Sequence, residues 1–157
     1  MDGRRSLTFA NLDAMMAEVD RLLAGHRALG RWSLGQVCNH LAMTLRYSAE
    51  GFPSRAPWPV RMLVGPILKR RILRRGKFPD GLKIPGADAP GPGLDDRAEA
   101  EALRATVRLL AAHAGPLAPH PVFGRIGDDD WRRLHCIHAA HHLGFLSPEP
   151  RRSVAPG

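Results

Sequence analysis

The sequence predicts an all-α protein, most simply a four-helix bundle with an extra basic helix placed in a crossover. Three observations carry this. Apolar residues recur at helical spacing in several separate segments, capping residues bracket those segments, and no stretch reads as a convincing strand. The 157 residues suit a single domain, with a core over about 7–146 and a flexible tail over 147–157.

Leu12 to Leu23 repeats apolar residues at helical spacing and stops at Gly25. Ser33 is a good N-cap for a second helix, with Gln36 completing a capping box. That helix runs from Leu34 to about Glu50 and ends at Gly51, with Pro53 just beyond. The segment from about Val60 to Arg75 is helical, with a bend or break near Gly65-Pro66. Gly76 to Leu94 is dense in Gly and Pro and reads as a long surface loop. Asp95 or Asp96 caps a helix running to about Ala114, rich in strong helix formers. A Gly/Pro-rich turn through His120, Pro121 and Gly124 follows. Asp128, Asp129 and Asp130 then place negative charge at the start of a helix spanning about Asp129 to Leu146.

Composition excludes several classes. With 44% hydrophobic and 24% charged residues the chain is not of disordered type. Its longest apolar stretch, Met62 to Leu68, is far short of the roughly 20 residues of a membrane helix. The beginning MDGRRSLTF has no apolar stretch of the signal-peptide kind. Two cysteines, Cys38 and Cys136, are too few for a disulfide scaffold and suggest a reducing, cytoplasmic setting.

The formal net charge is +8, and residues 61–77 hold seven basic side chains with no acidic one. The charge is therefore local. On a helical wheel these residues scatter among Met62, Leu63, Ile67 and Ile72, so no clean polar face of the interfacial kind emerges. No aromatic stacking partner lies between the charges, so neither a nucleic-acid nor a membrane signal is strong.

Five of the eight histidines fall in two helices. In the last helix, His138 and His142 lie about 40° apart and roughly 6 Å apart along the axis. Such a pair can converge on one metal ion, and it shares a face with Trp131, Leu134 and Phe145. In the second helix, His40 shares a face with Val37 and Thr44. An inward His40 opposite the pair would complete a three-histidine site, leaving other positions to water or substrate. Zinc, iron, nickel and manganese all accept imidazole. His135 and His141 fit supporting or surface roles. Cys38 and Cys136 each lie about 160° from the nearest candidate ligand and point elsewhere. The plainer alternative also stands: His40 as a hydrogen-bonded core residue, the pair as a chance spacing in a histidine-rich helix, Trp131 and Phe145 as core.

RWSLGQVCNHLAMTLRYSAEG, with Trp32 at its start and His40 within, resembles the second-helix signature of the DinB-like (YfiT-like) superfamily. HPVFGRIGDDDWRRLHCIHAAHHLGFL resembles its last-helix signature, in which an HxxxH pair is followed by one residue and Gly, here Leu143-Gly144. With KIPGADAP the pattern is closest to the branch known as domain of unknown function 1569, over about Leu7 to Leu146. The resemblance implies a four-helix bundle, often dimeric, with a divalent metal on three histidines, by position His40, His138 and His142. Some members transfer low-molecular-weight thiols such as bacillithiol, mycothiol or glutathione, and others are isomerases or hydrolases. Many relatives carry Arg-Gly-Gln where this chain has Leu143-Gly144-Phe145.

The expected function is thus a metal-dependent enzyme, with thiol transfer ahead of hydrolysis. His135, His141 and His120 are candidate general bases. The cleft is expected to be lined by Trp131 and Phe145, and the basic segment to hold a small anionic molecule, such as the thiol, by its carboxylates. The alternative is a non-catalytic bundle whose basic helix docks an acidic partner.

Overall fold

The computed structural model describes residues 3–79, 82, 84, 85 and 88–149. In chain order these form α1 (Leu12–Leu23), β1 (His26–Ala28), α2 (Leu34–Glu50), a π-helical turn (Val60–Val64), α3 (Gly65–Arg75), α4 (Asp96–Ala111), α5 (Asp128–Leu143) and β2 (Leu146–Pro148). The described chain is mostly helical, with five α-helices and one two-stranded sheet.

Local chemistry explains where the helices begin. Asn11 Oδ1 accepts the Ala14 N–H at 2.9 Å and starts α1. At α2 the capping box is complete: Ser33 Oγ accepts the Gln36 N–H, and Gln36 Oε1 accepts the Ser33 N–H. Asp95 Oδ1 accepts the Ala98 N–H at 2.8 Å and starts α4. No side chain caps α5; its first turn carries Asp128, Asp129 and Asp130, which complement the positive end of the helix.

Packing follows from the apolar stripes. α2 packs against α4 and α5, and α1 packs against the same two helices. Val19, Leu22, Val37, Leu41, Leu103 and Leu143 sit in the core so formed. A second core gathers Ala56, Ile72, Val122, Phe123, Trp131 and Leu134, joining α3 and the 120–124 turn to the N-terminal half of α5. α5 thus serves both cores, one at each end.

Several expectations are corrected. The strands β1 and β2 were not anticipated; they pair antiparallel, with Arg27 opposite Ser147. Strands of three residues, one of them ending in Pro148, leave no readable alternation. α5 ends at Leu143, not Leu146, because the next residues are claimed by two neighbours. The N-terminal segment lies on Gly144, whose carbonyl accepts the Arg5 N–H at 2.8 Å, and Leu146 enters β2. A Cβ on Gly144 would stand 2.8 Å from the Arg5 carbonyl, so this glycine permits a close backbone approach. The tail expected from Ser147 begins inside β2, while residues 150–157 lie outside the described residues. α4 stops at Ala111 rather than Ala114. The bend expected at Gly65-Pro66 is a widened turn: Pro66 has no N–H to offer the preceding turn, and the Gly65 N–H bonds back to the Val60 carbonyl. Of the Gly76–Leu94 loop, positions 80, 81, 83, 86 and 87 lie outside the described residues, and the rest holds no helix or strand. No helix among the described residues is long and apolar enough to cross a membrane.

Gly65 is buried where α3 meets the 120–124 turn, and a Cβ there would collide with the Val122 carbonyl oxygen. Alanine gains up to about 1 kcal/mol of helix propensity over glycine. A clash with rigid backbone outweighs it, so Gly65→Ala should lower stability by about 1–3 kcal/mol. Urea denaturation measures this; an unchanged or raised midpoint would contradict the contact.

Candidate metal centre

The packing of α2 on α5 brings three imidazoles together edge-on. His40 Nε2 lies 3.2 Å from His138 Nε2, and His142 Nε2 lies 3.0 Å from the same atom. The candidate donor atoms of all three residues fall within 4.8 Å of one another. Ligands at about 2.0–2.1 Å from one ion stand about 3.0 Å apart at right angles and about 3.4 Å apart at the tetrahedral angle. Both separations fall in that interval. The three histidines are close enough to hold one metal ion.

Protonation fits the same use. The Thr44 hydroxyl donates to the Leu41 carbonyl at 3.0 Å, so its oxygen is an acceptor towards His138 Nδ1 at 3.5 Å. The His138 proton therefore belongs on Nδ1, and Nε2 presents a lone pair to its two neighbours. Burial is the first cause of a lowered pKa in each member. His138 lies well below the usual range, with His142 and His40 adding to the shift. His40 is lowered to about 4 against an opposing pull from the Asp88 backbone, and His142 to about 2. His40 Nδ1 is buried without a partner at full hydrogen-bond geometry among the described residues. At neutral pH these are uncharged imidazoles, the form that binds metal.

The remaining candidates divide. His135 is buried, stacks on Trp131 at 5.0 Å, and lies 3.1 Å from Ser48 Oγ through Nε2. The Ser48 hydroxyl donates to the Leu45 carbonyl, so His135 carries its proton on Nε2 and keeps Nδ1 as its basic nitrogen. His120 Nδ1 accepts both the Val122 and the Phe123 N–H at 3.1 Å, so Nε2 holds the proton and His120 is a donor, not a base. His141 Nδ1 meets Arg4 at 2.9 Å, and its ring lies 5.0 Å from His142. Phe145 is not in the cavity wall; its ring packs on His141 and under the Arg4 guanidinium. Cys38 and Cys136 are free and buried away from the three histidines, and burial pushes the Cys38 thiol up to about 12.

The three imidazoles open on a cavity of about 650 Å³. Its walls include Trp32, Phe52, Phe78, Trp131, Leu82 and Ile84, with His120, His135 and His141 among the polar groups. Residues 61–77 line it nowhere, and its described wall contains no Lys or Arg. Trp32, Phe52, Phe78, Leu82 and Ile84 are wall residues that sequence reasoning missed. Trp32 stacks flat on His142, 5.1 Å between ring centres and 5° between planes, and tilts against His40 at 5.0 Å. Its place directly before the Ser33 cap was the available signal. Phe78 meets His138 edge-on at 5.6 Å from within the Gly/Pro-rich loop, where no periodicity marks it.

His120 and His135 make stability depend on pH. Burial lowers them to about 3 and about 4, against 6.5 when exposed. Below pH 6.5 the unfolded chain takes up protons that the folded one refuses. Stability is thus fully present above pH 6.5 and falls towards pH 3–4, by at most about 1.4 kcal/mol per pH unit for each group. Urea titrations across this range should show the decline, and His120→Asn should flatten it; a pH-independent midpoint would contradict the neutral burial.

A family model, Protein of unknown function (DUF1569), matches residues 1–149. No curated protein and no solved structure matches the chain. Since the match spans nearly all of the 157 residues, the chain belongs to the DUF1569 family.

Proposed function

We propose that this protein is a divalent-metal-binding enzyme of the DinB-like type, a single four-helix-bundle domain that transfers a low-molecular-weight thiol to a small electrophile. The observation that carries the reading is the convergence of His40, His138 and His142 on one point at ligand spacing. Zinc, nickel, iron and manganese all suit the donor set. A bound divalent ion supplies Lewis-acid activation, lowering the pKa of a thiol or water that reaches it.

The chain's own residues supply the rest. His40, His138 and His142 hold the ion, and Thr44 fixes the His138 tautomer so that Nε2 faces inward. Trp32 packs against two of the ligand rings and limits their rotation. Phe52, Phe78 and Trp131 give the electrophile an aromatic bed and keep water out. His135 presents Nδ1 as a hydrogen-bond acceptor, because Ser48 holds its one proton on Nε2. His120 offers an N–H to an acceptor atom of the substrate. Two buried free thiols support a reducing, cytoplasmic setting.

Protein prepared without a histidine tag should carry about one divalent ion per chain, and His138→Ala and His142→Ala should each abolish it. Full metal content in both variants would refute the site. Thr44→Val, which removes the acceptor for His138 Nδ1, should weaken metal affinity roughly 10- to 100-fold without abolishing it; an unchanged affinity in a competition titration would show that Thr44 orients nothing. Loaded protein should consume a thiol with a model electrophile, whereas loss of electrophile without loss of thiol would assign hydrolysis instead.

A further inference from the structure

Residues 51–79 contain eight Lys or Arg and no acidic residue. Gly65, Leu68 and Ile72 form the inner edge of α3, and Ile72 is fully buried in the second core. Along the opposite edge run Leu63, Ile67, Arg70, Arg71 and Arg74, at the spacing of one helix face. All five are exposed. Leu63 is 70%, Ile67 71% and the nearby Trp58 69% accessible, with Met62 and Val64 more than half so. Sequence periodicity around the axis shows no segregation here. Exposure shows that the segregation runs along the axis, with an apolar tip at the N-terminal end and exposed cations at the C-terminal end.

We propose that this edge docks the protein on an anionic phospholipid bilayer, with Trp58, Leu63 and Ile67 entering the headgroup boundary and Arg70, Arg71 and Arg74 meeting the lipid phosphates. Large apolar side chains clustered on an exposed surface mark an interaction site. The charge beside them selects the occupant. A second copy meeting the same face would set arginine against arginine if parallel, and Leu63 and Ile67 against arginine if antiparallel. A nucleic acid would pair the cations and leave Trp58, Leu63 and Ile67 in water. An anionic bilayer accommodates both ends at once: Trp and aliphatic side chains favour the interfacial layer, and guanidinium groups form paired bonds to phosphate. Lys69 takes no part, since its ammonium is bonded to Asp130 at 2.9 Å. That ion pair ties α3 to the first turn of α5 and presents the exposed edge on a braced helix. The docking does not depend on the metal centre.

The test is co-sedimentation of the full chain with vesicles of phosphatidylcholine alone and of phosphatidylcholine mixed with phosphatidylglycerol. A basic residue near an anionic surface adds roughly fivefold to partitioning. The mixed vesicles should therefore bind at least about tenfold more protein, and the difference should shrink as salt shortens the screening length. Arg70→Glu with Arg71→Glu, and separately Leu63→Ser with Ile67→Ser, should each reduce binding at least about tenfold. These exposed positions should leave the thermal midpoint unchanged. Equal binding to both vesicles, or binding to neither, would overturn the proposal without any variant. Duplex DNA binding that survives Leu63→Ser with Ile67→Ser would assign the face to nucleic acid. A dimer in light scattering that Ile67→Ser dissolves would assign it to a second copy.

Discussion

The contact between α2 and α5 is the constraint on which the rest depends, because it brings a buried His40 against a half-buried His138 and His142 at the wall of the cavity. Burial keeps these imidazoles uncharged, and among the described residues no carboxylate is hydrogen-bonded to any of the three to hold a charged one. The surrounding hydrogen bonds serve that end. Thr44 and Ser48 sit one turn apart on α2, and each passes its own proton to a carbonyl of the same helix. Their oxygens are thereby left to receive protons from His138 and His135. Two hydroxyls thus set two tautomers, and the sides of the rings that face the cavity are decided by α2.

The same helix pair explains the division of the protein into two cores. One end of α5 lies among the aliphatic side chains of α1, α2 and α4. The other is surrounded by the 120–124 turn, α3 and the aromatic residues of the cavity wall. The histidines stand where aliphatic packing gives way to aromatic packing. Trp131 belongs to the core and the cavity wall alike, so the distinction between core residue and site residue does not hold for it.

Much of this was legible in the sequence, and the exceptions have physical causes. Helix starts at Ser33 and Asp95 were readable because capping is local chemistry. His40, His138 and His142 were readable because helical spacing decides which side chains share a face. Neither kind of reasoning reaches a loop. Phe78, Leu82 and Ile84 enter the cavity from a segment whose shape depends on its neighbours. Phe145 failed as a wall residue because α5 ends at Leu143, two residues before it, so the wheel no longer applied. The strands escaped notice because each takes its conformation from the other. For the basic segment a wheel averages along the axis, whereas exposure varies along it, with Leu63 and Ile67 towards one end and Arg70, Arg71 and Arg74 towards the other.

The centre itself is open to direct measurement by X-ray absorption at the edge of the bound metal. The account predicts three imidazole nitrogens at about 2.0–2.1 Å and a loss of one of them in His40→Ala. His40 is the discriminating position, because it alone comes from the other helix. A coordination sphere of sulfur, or of oxygen without imidazole, or one that His40→Ala leaves unchanged, would contradict it.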